Sequence, residues 1–266
     1  MSGMRLTGLH VYPVKSARGT ALTEAVVEDR GLRFDRRWML VDQDGEFLTQ
    51  RSEPRLATLG VAAVDDGGLI LSADGFEPLT VPPPSPDATR MPTTVWSDTV
   101  DARLAGGEAN TWLSNWLQRP VWLARIADDA PRPTERRPEV NVSFADGYPF
   151  LLCSEDSLRD LTSSTDADVP MDRFRPNLVI AGAEPWAEES WRRVRIGEVE
   201  FECVKPCARC VVTTTDQVSG ERLGPEPLRG LAAHRRREDG KVNFGMNLVA
   251  VAGGVVAIGD PVRIVR

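Results

Sequence analysis

The chain has 266 residues, 41% hydrophobic and 27% charged, which supplies a sizeable core and excludes global disorder. Thirty-nine Asp and Glu against 32 Lys and Arg leave a formal charge of −7. Phosphate-rich partners need positive fields, so nucleic acid and membrane surfaces are not expected as partners, although a local basic pocket for a small anion is compatible. No stretch approaches the ~20 apolar residues of a membrane span. The start, Met1 to Leu6, lacks the apolar core of a secretory signal, so a cytoplasmic location is expected.

In chain order, Leu9 to Val14 reads as a strand ending at Lys15. Trp38 to Val41 and Phe47 to Thr49 flank a turn at Asp42-Gln43-Asp44-Gly45, and Leu69 to Leu71 pairs with Leu79 to Val81 around Asp74-Gly75. Pro82 to Pro86 is a stiff surface excursion. Ala109, Trp112, Leu113, Trp116 and Leu117 recur at helical spacing, which makes the two tryptophans packing residues of one amphipathic helix. Asp128 to Pro138, with three prolines and three arginines, marks a boundary between halves. Beyond it, Tyr148 to Leu152 reads as a buried strand with Cys153 in the core, and Ser154 caps a short helix. Val255 to Ile258 and Pro261 to Val265 form a terminal strand, turn and strand. Strands at this spacing, without βαβ alternation, indicate a barrel or sandwich.

Three of the four cysteines crowd into eight positions, Cys203, Cys207 and Cys210. Glu198, Glu200 and Glu202 alternate with Val199, Phe201 and Cys203, the period of a half-buried strand with Cys203 facing the core. Lys205-Pro206 is expected to end that strand, leaving Cys207 and Cys210 on a loop before Val211 to Thr215 resumes extended structure. A zinc site needs four ligands, and His10 and His234 are the only histidines. A thioredoxin-type pair expects a helix after its C-x-x-C. The C-x3-C-x2-C spacing also matches the cluster loop of radical enzymes that use S-adenosylmethionine, but those carry it early in an alternating barrel. The fourth reading is one exposed thiolate, activated by Lys205 and Arg209, that ligates a soft metal carried by a cofactor.

The stretch Pro206-Cys207-Ala208-Arg209-Cys210, with the following Val211 to Asp216, resembles the molybdenum-binding loop of MOSC-domain proteins, and within them the branch of the amidoxime reducing components. The likeness extends to Tyr12-Pro13-Val14-Lys15-Ser16, Asp35-Arg36-Arg37-Trp38, Thr49 to Leu56 and Phe174-Arg175-Pro176-Asn177. It continues through Ala187 to Trp191, Phe244-Gly245-Met246-Asn247 and Ile258 to Val262. The resemblance implies that Cys210 ligates molybdenum and is the catalytic metal ligand. It implies that Lys15, Ser16, Arg36, Arg175 and Asn177, with Ala208 and Arg209, grip a molybdopterin and its phosphate. At Gly147 and Tyr148 the mitochondrial members carry two hydroxyl residues, so there the backbone is left to contact the cofactor. Arg51 and Arg55 are undecided, with capping of loop carbonyls as their simplest role.

The resemblance further implies an oxidoreductase that reduces N-hydroxylated compounds, such as amidoximes and hydroxylamines, to the amine or amidine and water. A separate reductase or small electron carrier is expected, since some bacterial relatives append a ferredoxin-like domain and this chain has no cysteines to build one. The alternative is a non-catalytic carrier of the molybdenum cofactor or of sulfur. The expected architecture is a β-rich α+β protein of two β-barrel-type domains with a few short helices. Residues 1–126 would form the MOSC N-terminal barrel and residues 127–266 the MOSC domain, with the cofactor between them.

Overall fold

The computed structural model describes residues 3–163, 165, 167–236 and 240–265. The outermost residues of the two expected domains, Met1 and Arg266, and the side chain of His234 lie outside it. The protein is β-rich α+β, as expected, with three short α-helices among the described residues: Gly107–Leu117, Glu155–Ser163 and Leu228–His234.

An eight-stranded sheet runs in the order Val262–Val265, Arg193–Ile196, Val199–Ala208, Asn243–Ala250, Phe150–Ser154, Leu178–Ala181, Arg5–Val11, Thr20–Ala21. Its one parallel pair, Phe150–Ser154 with Leu178–Ala181, is joined through the helix Glu155–Ser163. Ser154 Oγ accepts from the Asp156 and Ser157 amides, which starts that helix as expected. The strand begins two residues later than the sequence suggests. Phe150 and Leu152 enter one core, whereas Leu151 and Cys153 enter the core on the opposite face. A strand buried on both sides needs an unbroken apolar run, which is what Phe150 to Cys153 provides.

Most of the first half packs around a separate core. Trp38, Leu40, Leu56, Leu69, Leu71 and Leu123 surround the apolar side of the helix Gly107–Leu117. Trp116 is buried there, and Trp112 donates its indole N–H to the Glu77 carbonyl at 2.9 Å, so both are packing residues. The strands Gly60–Ala63, Leu69–Ala73 and Phe76–Val81 form one sheet, and Trp38–Val41, Trp122–Ile126, Asp98–Leu104 and Arg90–Val95 form another. The four strands at the start of the chain belong elsewhere, two of them in direct pairs with the second half. Arg5–Val11 pairs with Leu178–Ala181, and Glu24–Glu28 pairs with Gly254–Ala257. The halves proposed to divide at 126/127 are thus sewn together by backbone hydrogen bonds.

Three local expectations are corrected. Lys205-Pro206 does not end its strand: Val199–Ala208 continues past it, with irregular register on both sides of the Lys205 to Pro206 pairing. Bulges are where a sheet tolerates a residue without an N–H. Val211–Thr214 is a 3-10 turn and not a strand, because the Cys210 carbonyl accepts from the Thr213 amide at 3.0 Å and its hydroxyl at 2.9 Å. The final two strands do not pair with each other: Gly254–Ala257 joins Glu24–Glu28 and Val262–Val265 joins Arg193–Ile196. The linker is also less solvated than its composition suggests, since Arg132 is buried.

Gly245 lies at φ 78 in the strand Asn243–Ala250, where a Cβ would come within 2.6 Å of the Leu152 carbonyl oxygen and 2.7 Å of Cys153 Sγ. Backbone on one side and a core sulfur on the other leave no room to yield. Gly245→Ala is expected to destabilise the fold by about 2–4 kcal/mol, read as a lower denaturation midpoint at unchanged slope.

Candidate functional site

Between the two halves lies a cavity of 320 Å³ lined by Cys210 together with Lys15, Ser16, Arg36, Gly147, Tyr148, Arg175, Asn177, Ala208 and Arg209. Every site residue expected from the sequence therefore reaches one space. Counting Arg51, Arg173 and Lys205, seven cationic side chains line it against the single carboxylate of Asp146. In a chain of net charge −7 that is a strong local inversion.

The cations are held by specific partners. Arg36 and Arg175 both lie over the ring of buried Tyr12, at 4.1 and 4.3 Å from its centre. Arg36 Nη1 donates to Asp35 Oδ2 at 2.5 Å and to Asn177 Oδ1 at 2.9 Å, and Nη2 to the Arg175 carbonyl at 3.2 Å. Asn177 Oδ1 also accepts from the Leu151 amide, and its Nδ2 donates to the His10 carbonyl. Its place in the structure is therefore a brace for Arg36. Arg175 Nη1 donates to Gln217 Oε1 at 3.0 Å, and Gln217 in turn exchanges amide hydrogen bonds with Gln50 of the first half. Burial draws the Arg175 pKa down to about 10 and pushes the Tyr12 pKa up to about 12, so neither changes charge near neutrality.

Ser16, Arg36 and Arg175 adopt φ values of 66, 48 and 55. Left-handed backbone at three non-glycine residues around one cavity is strain that only the surrounding structure can sustain. Arg175 ends the 3-10 turn Met171–Phe174 just before Pro176, whose ring disfavours helical continuation.

Lys15 is buried and donates from Nζ to the Phe144 carbonyl at 2.8 Å and to Asp146 Oδ1 at 2.5 Å. Its burial lowers the ammonium pKa, and Asp146 opposes that shift. Enclosure in the cavity wall disfavours charge on Asp146. The Lys15 ammonium overrides it, with help from Arg51 and the Trp96 indole, and holds the carboxyl well below its ordinary value. The Asp146 side chain is 67% accessible, so water also screens this pairing. Arg132, unnoticed in the sequence, fixes the Asp146 loop. Its guanidinium donates to the carbonyls of Ser143, Ala145 and Asp146, and to Asp98 Oδ2.

Cys210 is half-buried and begins the 3-10 turn with extended backbone. Its positive neighbour differs from the expected pair. Lys205 is bound to Glu135 at 2.6 Å, and Arg209 Nη1 donates to Cys207 Sγ at 3.1 Å. The guanidinium on Cys210 Sγ is that of Arg51, whose Nη2 lies 3.1 Å away. Arg51 comes from the first half, and nothing in its sequence context shows the direction of its side chain. Cys203 packs with Val199 and Phe201 in the core, and burial pushes its thiol up to about 12. Cys153 is fully buried.

Among the described residues no group of three His, Cys, Asp or Glu side chains converges as a metal cage. A metal held at Cys210 would draw its other donors from a cofactor. The lining suits a multiply charged anion with soft sulfur donors. Buried Tyr148 Oη, Arg173 Nε and Arg209 Nε have no hydrogen-bond partner in the protein, and all three residues face the cavity. Tyr148 therefore offers a side-chain hydroxyl where the sequence left only backbone.

Fold and site together define a β-rich protein whose two halves enclose a basic cleft that holds the half-buried thiols of Cys207 and Cys210. The model described as the MOSC N-terminal beta barrel domain matches residues 3–120, and that described as the MOSC domain matches residues 139–263. The chain is 33% identical to mitochondrial amidoxime-reducing component 1 of Homo sapiens, over 96% of this chain and 81% of that protein. Identity to the Mus musculus protein of the same name is 34%, over 96% and 80%. The solved YUAD protein from Bacillus subtilis aligns over 98% of this chain and 94% of its own, at 9% identity and a TM-score of 0.47. The chain belongs to the MOSC-domain family that includes the mitochondrial amidoxime-reducing components.

These matches overturn the cytoplasmic expectation, because the relatives are named as mitochondrial. The physical reason is that an apolar signal core marks secretion only; mitochondrial targeting segments are amphipathic and arginine-rich, so the residues at the start of this sequence do not assign a compartment. Among the described residues no helix is long and apolar enough to cross a membrane.

Asp146→Asn would leave the buried Lys15 ammonium without its counter-charge. Because Asp146 is partly accessible, the expected loss is about 1–2 kcal/mol at pH 7. The carboxyl's folded pKa lies below its unfolded one, so its contribution is complete above about pH 4 and is lost as pH falls through the folded value. Stability of wild type and variant, followed by denaturant titration from pH 7 downward, should differ steadily and then converge only in strong acid.

Proposed function

We propose that this protein is a molybdenum cofactor-dependent reductase of N-hydroxylated compounds such as amidoximes and hydroxylamines. The observation that carries the reading is the half-buried Cys210 thiol in a cavity whose cations come from both halves of the molecule. When bound, the molybdopterin cofactor supplies the two-electron chemistry that cleaves the N–O bond and yields the amine or amidine plus water.

The residues of the chain do the rest. Cys210 is the protein ligand to the metal. Lys15, Arg36 and Arg175 neutralise the cofactor phosphate, with Ser16, Gly147, Ala208 and Arg209 beside them and Asn177 holding Arg36 in place. Tyr148 Oη and the free N–H of Arg173 supply further donors. At neutral pH the proton of the Lys15–Asp146 pair sits on Lys15 Nζ, so Asp146 enters the site as a hydrogen-bond acceptor. Electrons come from a separate donor protein, a reading supported by the likeness to proteins named as components of an amidoxime-reducing system.

Protein purified from a host that makes the cofactor should convert benzamidoxime to benzamidine when supplied with a chemical reductant. Cys210→Ala should fall to background. Arg175→Ala should retain roughly 10- to 100-fold less cofactor, the loss expected for a charge-assisted bond to phosphate. A molybdenum-loaded protein that is inert with every N-oxygenated substrate, yet passes its cofactor to an apo-enzyme, would replace this reading with a carrier role.

A further inference from the structure

The hairpin joining Arg90–Val95 to Asp98–Leu104 turns through two residues, Trp96 and Ser97, with Val95 and Asp98 opposite each other. Trp96 has φ 58, a left-handed conformation that a bulky side chain rarely adopts. The residue is 42% exposed, yet its ring has fixed neighbours. Phe47 meets it edge-on at 5.0 Å, its indole N–H reaches Asp146 Oδ1 at 3.3 Å, and the Arg51 guanidinium lies 4.1 Å from its centre. A two-residue hairpin requires positive φ in its turn, where glycine or asparagine is usual; a tryptophan there sets a broad ring at the cavity rim, and its neighbours give its purpose.

The purpose lies on the other side of Arg51. The same guanidinium that rests on Trp96 directs Nη2 to Cys210 Sγ at 3.1 Å. The loop beneath it is also pinned: the Arg51 amide donates to Thr49 Oγ1, and the Arg51 carbonyl accepts from Arg222 Nη2 at 2.5 Å. A planar fork held against an aromatic face keeps its N–H donors in one plane, and here Nη2 in that plane lies towards the sulfur.

We propose, resting on the molybdenum reading above, that Arg51 is a positioning residue which hydrogen-bonds the ligating sulfur of Cys210, and that Trp96 holds it in that pose. An N–H donated to a metal-bound thiolate withdraws electron density from the sulfur. The thiolate becomes a weaker donor, and the reduced metal is favoured. Arg51 thereby adjusts the metal through its ligand without touching it.

The test uses holoprotein from a cofactor-making host as wild type, Arg51→Gln, Arg51→Lys and Trp96→Gly. Glycine adopts φ 58 without steric strain, which offsets part of the loss of the ring's contacts, so Trp96→Gly should keep the hairpin turn and fold; its denaturation midpoint is measured alongside. Molybdenum per chain is measured by elemental analysis, and the Mo(V) electron paramagnetic resonance signal is followed against potential. The account expects metal to be retained in all four, with shifted g values in the variants. Reduction should become about tenfold less favourable in Arg51→Gln, less so in Arg51→Lys, and move the same way in Trp96→Gly. Metal-loaded variants with unchanged signal and potential overturn the proposal. So does an Arg51→Gln protein that loses its metal while Trp96→Gly matches wild type, since Arg51 would then serve only the structure. Wild type that carries no molybdenum overturns the underlying reading instead, before any variant is compared.

Discussion

Two guanidinium groups of like charge, Arg36 and Arg175, share the ring of one buried tyrosine, and the cavity depends on that stack. Left alone they would repel each other and seek water. Tyr12 offers its π-face to both, Asp35 neutralises one, and Gln217 accepts from the other. Arg36 belongs to the first half of the chain and Arg175 to the second, so the stack is also a joint. The Gln50–Gln217 amide pair and the Arg51–Cys210 contact cross the same seam. Charge concentration and domain assembly are therefore one arrangement.

Left-handed backbone at Arg36 and Arg175 accompanies it, and Ser16 beside the same cavity shares that conformation. All three line the cavity, and Arg175 does so at the end of the turn Met171–Phe174. The large sheet supplies rigidity below: Arg5–Val11 leads into Tyr12, Leu178–Ala181 follows Asn177, and Val199–Ala208 delivers the cysteine loop. Two neighbouring strands thus present the ring and the brace, and a third strand of the same sheet, separated from them by two others, delivers the sulfur. The buried Arg132 performs the equivalent task for the Asp146 loop, which no strand supports.

Much of this was readable in the residues themselves. The alternation from Glu198 to Cys203 placed Cys203 in the core, and the motifs around Lys15, Arg36, Arg175 and Cys210 named groups that do meet in one space. What failed was local propensity where tertiary contacts decide. Val211 to Thr215 is rich in β-branched residues, yet the Cys210 carbonyl captures Thr213 and winds the segment. Pro206 looked like a strand end because a ladder position normally needs an N–H; the adjacent bulges remove that need. Arg51 was left undecided and Arg132 went unnoticed for a different reason. Each lies in a loop, and composition shows that a loop is polar without showing whether its arginine faces water or a buried partner.

X-ray absorption at the molybdenum edge of the purified holoprotein tests the central claim most directly, because it counts sulfur neighbours of the metal whatever the substrate or donor. The account predicts a sulfur shell in wild type that loses one neighbour in Cys210→Ala. A shell identical in both proteins, or a wild-type protein without molybdenum, would contradict it.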